Sequence, residues 1–549
     1  GTHILKVSSE GFSSSGSLTT GCLFISHPTN STHKKNQNGK QREQLPHFQS
    51  SNNIISNTID SPPRWMFSTV LTQASFWTFV EKLPFCLQKI IEKLVFYLYF
   101  YIEKLPSRRI YMLFRKIESV IEEHFRNNDG KILLIDGARQ VGKTFIIRQV
   151  GKKLFKNFIE INMVQDSLGQ RLFANTNTIE DFYLKISINA GNKVGNKENT
   201  LVFIDEIQEY PKLLTLLKFL KDDGRFTYIA SGSLLGVTLN ETPSIPMGSI
   251  RKIRMFPLDF EEFLYANGMN KEFVSFLRTS FESRTSLEES IHNKMMDLFR
   301  KYLITGGLPD AVKAFVEEKN IQKVREIQNE THEYYAADAS KYDAERKLKI
   351  RSIYEMIPSN MEKTKKRVII QNVEGRKGKT FADYQDEFEY IVSAGIALNV
   401  QAISNPVFPL IQSASKNLLK LYLNDVGILS NILYSLNILA VMEDNKSINL
   451  GALYENVVAS ELAAHGHRLF YYDNRKKGEV DFLVDDYEHL SVLPIEVKSG
   501  KDYSVHCALS SFVENEDYNV KQAIVLSNNR EFKEKGKIVY CPIYYAMFL

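Results

Sequence analysis

A chain of 549 residues is too long for a single hydrophobic core and implies roughly three or four domains. With 43% hydrophobic and 24% charged residues its composition is that of an ordinary globular protein, and a net charge of +5 neither requires nor excludes a nucleic-acid partner, so any basic surface must be local. The four cysteines, Cys22, Cys86, Cys507 and Cys541, lack CxxC spacing, which indicates neither a zinc site nor a disulfide framework and points to a reducing compartment.

Residues 1 to about 62 are rich in Ser, Asn, Thr, Gly and Gln and carry few periodic apolar residues, so they are expected to be disordered. No charged n-region followed by an apolar h-region opens the chain. The uncharged run Leu94–Ile102 is too short to span a bilayer, which needs about 18 residues or more. No membrane partner and a cytoplasmic location are therefore expected. The chain opens with Gly, and Met112 is an alternative start, which sets 1–111 apart as a disordered or foreign extension. An amphipathic helix follows, with Ile117, Val120, Ile121 and Phe125 on one face.

From residue 131 strands and helices alternate. Ile132–Ile135, Phe158–Asn162, Leu201–Ile204, Phe226–Ala230 and Ile253–Phe256 read as five strands of a covered parallel sheet, giving an α/β core over 112–259. Residues 260–345 read as a helical lid region. A second helical region, 346–449, contains the basic, strand-like interval Lys363, Lys365, Lys366, Arg367, Arg376, Lys377 and Lys379, which would contact phosphates as a wing does or simply form a solvated face. Residues 450–549 read as another α/β unit.

The chemistry begins after the first strand. Gly137-Ala138-Arg139-Gln140-Val141-Gly142-Lys143-Thr144 has the spacing of a P-loop between a strand and a helix. Its backbone N–H groups and the helix N-terminus suit phosphate oxygens, Lys143 suits the β- and γ-phosphates, and the Thr144 hydroxyl suits Mg²⁺. Asp205 and Glu206 leave the third strand at its C-terminal end, Asp205 to hold Mg²⁺ through water and Glu206 to orient or deprotonate the attacking water. Ser231 and Ser233 are candidates for a polar γ-phosphate sensor or for a helix cap. Arg251 and Arg254 are candidate arginine fingers, in cis or across a subunit boundary, or parts of a solvated basic strand. ATP and Mg²⁺ are the expected cofactors.

Together with these motifs, the sequence resembles the prokaryotic AAA-type ATPases that carry a C-terminal domain of unknown function with a nuclease-like end. The resemblance runs through Gly137–Thr144, Phe203–Gln208, Ala230–Leu235, Phe256–Leu264, Gly306–Pro309, Leu423–Leu429, Glu455–Leu462, Gly478–Phe482 and Ile495–Gly500. It implies an AAA-like sheet, a helical and winged-helix-like middle, and a restriction-endonuclease-like C-terminal domain. Ser249 follows Gly248 where many such relatives carry a basic residue.

The C-terminal part carries a second constellation, Asp481-x14-Glu496-x-Lys498. Period-two geometry puts Glu496 and Lys498 on one strand face, with Asp481 on a neighbouring strand and Glu455 on the preceding helix. Two carboxylates suit Mg²⁺ and the lysine suits water activation, the pattern of PD-(D/E)xK nucleases; exposed strands with a Glu/Lys pair are the alternative. The expected function is an ATP-hydrolysing enzyme whose nucleotide state controls a nuclease-like, DNA-binding module. The alternative is a nucleotide-dependent switch or scaffold whose nuclease-like domain is inactive. Expected partners are ATP, DNA or another nucleic acid, and a protein or second copy of the chain.

Overall fold

A computed structural model describes residues 112–127, 130–164, 173, 176–191, 195–233, 247–338, 344–363, 366–375, 378–443, 448–474, 476–500 and 506–549. The extension 1–111, expected to be disordered or outside the family pattern, with Leu94–Ile102 in it, and also Leu235, Lys365, Arg376 and Lys377, lie outside the described residues. All described residues belong to one compact unit, Ser107–Leu549.

The first sheet consists of β1 (Ile132–Asp136), β2 (Asn157–Asn162), β3 (Thr200–Asp205), β4 (Thr227–Gly232) and β5 (Ile250–Arg254), in the order β2-β3-β4-β1-β5. Every pairing in it is parallel. β1 and β3 are buried throughout, as a parallel strand covered on both faces must be. Their side chains sort by the two-residue period. Leu133, Ile135, Leu201, Phe203 and Ile229 face one core, and Ile132, Leu134, Val202, Ile204 and Ala230 face the other. The second of these cores is closed by the helices Ile179–Ala190 and Pro211–Asp223, which supply Phe182, Ile186, Leu213 and Leu217. β5 begins at Ile250, not at Ile253, because its backbone pairs with β1 from Ile132 onward. As the edge strand it tolerates Arg251, Lys252 and Arg254.

The second sheet has eight strands: β6 (Ala397–Ile403), β7 (Ala414–Leu423), β8 (Phe470–Asn474), β9 (Gly478–Asp486), β10 (Ser491–Lys498), β11 (Ala523–Ser527), β12 (Lys533–Lys535) and β13 (Ile538–Pro542). Their order is β12-β13-β11-β10-β9-β8-β6-β7. β6 and β7 come from the region expected to be helical and winged-helix-like. They form an antiparallel pair, yet β6 also joins β8 in parallel, so the pair is a wall of the C-terminal sheet and not a free wing. The basic interval is drawn into the same wall through an isolated bridge between Arg367 and Lys420. Among its described residues, Lys363 bonds Asn360, Lys366 pairs with Glu455, Arg367 with Asp473 and Lys379 with Asp383.

Two of the motifs are packing devices. Leu258 donates its N–H to Gly307 O at 2.7 Å, and the chains approach so closely that a Cβ on Gly307 would lie 2.0 Å from Leu258 O. Asp425 accepts from Gly307 N at 2.6 Å and from Ile428 N at 3.0 Å, so it both caps the helix Val426–Tyr434 and fastens the Gly-Gly-Leu-Pro turn. Burial pushes its carboxyl up to about 6, against the backbone hydrogen bonds from Gly307 and Ile428.

Arg254 is likewise a pin. Its Nε and Nη2 donate to Asp136 Oδ2 at 3.1 and 2.8 Å, while Nη1 and Nη2 donate to the carbonyls of Val392 and Ser393 at 3.1 and 3.0 Å. It joins the end of β1 to the helix Gln385–Ser393. Arg254→Ala is expected to destabilise the nucleotide-free protein by about 2 kcal/mol, because among the described residues Asp136 stays buried with Lys252 as its remaining ion pair. Denaturant unfolding without nucleotide measures this; an arginine acting only on the transition state would leave that stability unchanged.

Candidate functional site

The P-loop connects β1 to the helix Lys143–Leu154. Gly137 passes so near the following segment that a Cβ would meet Met255 O at 2.3 Å, which reserves the position for glycine. Gly142 precedes the helix in the left-handed region, at φ 94. The loop is held from outside by Arg115, which donates to Val141 O (2.9 Å), Phe256 O (2.6 Å) and Glu262 Oε2 (3.0 Å). A cavity of about 530 Å³ opens beside it, bordered by Arg139, Lys143, Thr144, Glu206, Asp310 and Tyr334.

Lys143 is buried and donates to Gly137 O (2.9 Å) and Ala138 O (2.7 Å). Burial lowers its pKa, opposed by Glu206, Asp136 and Asp205. Thr144 Oγ1 donates to Asp205 Oδ2 at 2.8 Å, and Ser231 Oγ donates to Asp205 Oδ1. Burial raises the Asp205 carboxyl, and the Ser231 and Thr144 hydrogen bonds pull it back. A hydroxyl and a carboxylate meeting at one point are the hard oxygen donors that Mg²⁺ prefers.

Glu206 follows in the left-handed region at φ 55, its N–H donated to Asp205 Oδ1 at 3.1 Å. Its Oε2 accepts from Gln208 Nε2 (2.5 Å) and from Ser233 Oγ (3.2 Å). The two serines therefore divide their work: Ser231 holds Asp205 and Ser233 holds Glu206. Neither caps a helix among the described residues. Arg251 is exposed on β5, on the opposite strand face from Lys252 and Arg254, which reach Asp136.

Several residues beyond the expected set join the site. Asn162 donates to Asp205 Oδ2 at 3.1 Å, and its place at the end of β2 opposite Asp205 is a matter of strand register. Gln208 closes the contiguous Phe203–Gln208 motif, two positions from the Glu206 it bonds. Arg139 hydrogen-bonds the Tyr334 hydroxyl and lies over that ring, 5.0 Å from its centroid. Arg139 O accepts from Tyr335 OH at 2.8 Å, and Tyr335 OH in turn accepts from Asn424 Nδ2 at 3.4 Å. Both tyrosines sit on the helix Ile321–Asp338, so the phosphate loop touches the helical region directly.

In the second constellation, β9 and β10 pair antiparallel with Phe482 opposite Ile495, which sets Asp481 beside Glu496. Asp481 Oδ2 accepts from Val497 N at 2.8 Å. Lys498 Nζ donates to Glu496 Oε1 at 2.6 Å. Glu455, on the helix Leu450–Ala464, pairs with Lys366 and accepts from Tyr422 OH at 3.0 Å. Burial, then Glu496 and Glu455, push the Asp481 carboxyl well above the usual carboxylate range. The expected residues thus come together. Among the described residues, however, three ligand-type side chains approach within 4.8 Å of one another at Asp259, Glu461 and His465, not at Glu455, Asp481 and Glu496.

Among the described residues no helix is long and apolar enough to cross a membrane. Residues 129–264 match the family model described as AAA domain. Residues 296–438 and 450–546 match two families described as domains of unknown function, DUF8612 and DUF4143. An uncharacterized protein of Methanocaldococcus jannaschii is 24% identical over 417 residues, covering 74% of this chain and 84% of that one. A second uncharacterized protein of the same organism is 22% identical over 458 residues, covering 78% and 86%. Among solved structures, the chain is similar to a Walker-type ATPase of Pyrococcus abyssi at TM-score 0.35 and 15% identity, covering 59% of this chain and 97% of that one. The family model over 129–264, with the motifs and parallel sheet described above, identifies an AAA-type P-loop ATPase domain in this chain.

Proposed function

We propose that the chain binds ATP with Mg²⁺, hydrolyses it, and passes the nucleotide state through the helical region to the C-terminal sheet. The observation that carries this is the pair of side-chain hydrogen-bond networks at the C-terminal ends of β3 and β4, joined where Glu206 N donates to Asp205 Oδ1 at 3.1 Å. One joins Thr144, Asp205, Ser231 and Asn162; the other joins Glu206, Ser233 and Gln208. The first network offers metal ligands already oriented, and bound Mg²⁺ would neutralise charge on the phosphates. The second leaves Glu206 Oε1 to align a water, while Ser233 and Gln208 fix the carboxylate plane. Lys143 exchanges its loop carbonyls for phosphate oxygens when nucleotide arrives. Arg139, on the same loop, carries the change to Tyr334 and Tyr335.

Lys143→Ala should lose nucleotide binding, and Glu206→Gln should bind ATP while hydrolysing it at least a hundredfold more slowly. Isothermal titration and phosphate-release assays measure both; Lys143→Ala hydrolysing ATP at the wild-type rate would refute the assignment.

For the C-terminal module we propose a nuclease-like site of Asp481, Glu496 and Lys498 with Glu455, acting on DNA or another nucleic acid. One observation favours the alternative, a switch or scaffold that does not cut: Lys366 pairs with Glu455 and Lys498 with Glu496, so ammonium groups already answer these carboxylates. Incubation of DNA and RNA with the full chain and Mn²⁺ or Mg²⁺ decides between them. Cleavage by the wild type that Lys498→Ala abolishes supports the nuclease; no cleavage of any substrate by the wild type supports the switch.

A further inference from the structure

The segment that follows β5 carries a cluster which neither constellation uses. Asp259 caps the helix Phe260–Ala266, its Oδ1 accepting from Glu262 N at 2.8 Å. Its Oδ2 faces His465 Nε2 at 3.9 Å, and Glu461 Oε2 lies 3.9 Å from the same nitrogen. Glu461 is 0% exposed. Its Oε1 takes the N–H of Phe260 at 2.7 Å, but its Oε2 has no hydrogen-bond partner and points into the cluster. A buried carboxylate oxygen left so costs about 1–3 kcal/mol or more, unless a cation or proton answers it.

His465 is oriented from behind. Its Nδ1 lies 2.6 Å from the Leu549 backbone oxygen, an acceptor, so Nδ1 carries a proton and Nε2 is the nitrogen turned toward the two carboxylates. A hydrogen bond of this kind on the far nitrogen is what orients a metal-binding imidazole. Lys116 supplies positive charge on one side only. Its Nζ is shared between Asp259 Oδ2 (2.7 Å) and Glu261 Oε2 (2.8 Å), and it makes no ion pair with Glu461.

We propose that Asp259 Oδ2, Glu461 Oε2 and His465 Nε2 bind one divalent transition-metal ion of the zinc class. An imidazole with two carboxylates suits zinc better than magnesium or calcium, which favour all-oxygen sets. Bonds of about 2.1 Å in a tetrahedral site separate ligand atoms by about 3.4 Å, so the 3.9 Å contacts need to close by only about half an ångström. The His465 side chain is 19% exposed, which gives the ion a path from solvent, and water can fill the fourth position. The bound ion staples the segment after β5 to the end of the helix Leu450–Ala464, and so joins the ATPase sheet to the C-terminal sheet. This site does not depend on the proposed hydrolysis.

The test uses the full chain without an affinity tag, loaded with Zn²⁺ in the presence of excess Mg²⁺, dialysed, and assayed by atomic emission. Wild type should keep about one equivalent of zinc, as should Lys143→Ala and Asp481→Asn, which disable the other two constellations. His465→Ala and Glu461→Gln should each lose it, and zinc should raise the thermal midpoint of wild type but not of His465→Ala. Wild type keeping no zinc would overturn the proposal regardless of how the variants fold. Equal retention by folded His465→Ala and Glu461→Gln would overturn it as well.

Discussion

The stretch Met255–Glu262 holds the modules of this chain together, and it does so largely through backbone groups. Met255 donates to Asp136 O at the end of β1, and its own carbonyl stands where a side chain on Gly137 would have to go. Phe256 O accepts from Arg115, which also grips the P-loop at Val141. Leu258 N donates to Gly307 O, and Leu258 O accepts from Tyr302 OH at 2.7 Å. Phe260 N donates to Glu461 on the helix Leu450–Ala464. Backbone groups buried in this way must be paired, so each partner's position is set by the others. Phosphate loop, helical region and C-terminal sheet therefore share one joint.

That joint gives the nucleotide site its neighbours. The apolar core on one sheet face runs without interruption from Leu133 and Phe203 through Phe260, Phe299 and Tyr302 to Tyr454, Phe482 and Tyr545. The opposite face has its own smaller core, closed by its two helices. On one face only, therefore, the sheet shares its core with the helical region and the C-terminal sheet. Arg139 with Tyr334 and Tyr335 adds a polar link from the loop to Asn424, next to the Asp425 cap.

Those features whose cause is local could be read from the sequence. Gly137–Thr144 and Asp205-Glu206 are contiguous, and their strands are short apolar runs with a two-residue period, so both the sheet and the meeting of Thr144 with Asp205 were legible. So was the meeting of Asp481, Glu496 and Lys498 on adjacent strands. Features whose cause is tertiary were not. β6 and β7 carry the same short apolar runs as a buried helix, and only their pairing with each other and of β6 with β8 fixes them as strands. Arg254 reads as a free cation until Asp136 and the carbonyls of Val392 and Ser393 are found around it. Asn162 belongs to the site through register with Asp205, and Asp425 through a contact with Gly307, 118 positions away in sequence. Neither is visible in spacing.

On the function proposed above, nucleotide binding is felt beyond the ATPase sheet. Hydrogen–deuterium exchange on Glu206→Gln, nucleotide-free and saturated with ATP and Mg²⁺, tests this most directly. Protection should change in the loop 137–144, and also in the helix Ile321–Asp338 and around Asn424 and Asp425. Changes confined to the loop and to the ends of β3 and β4 would contradict it.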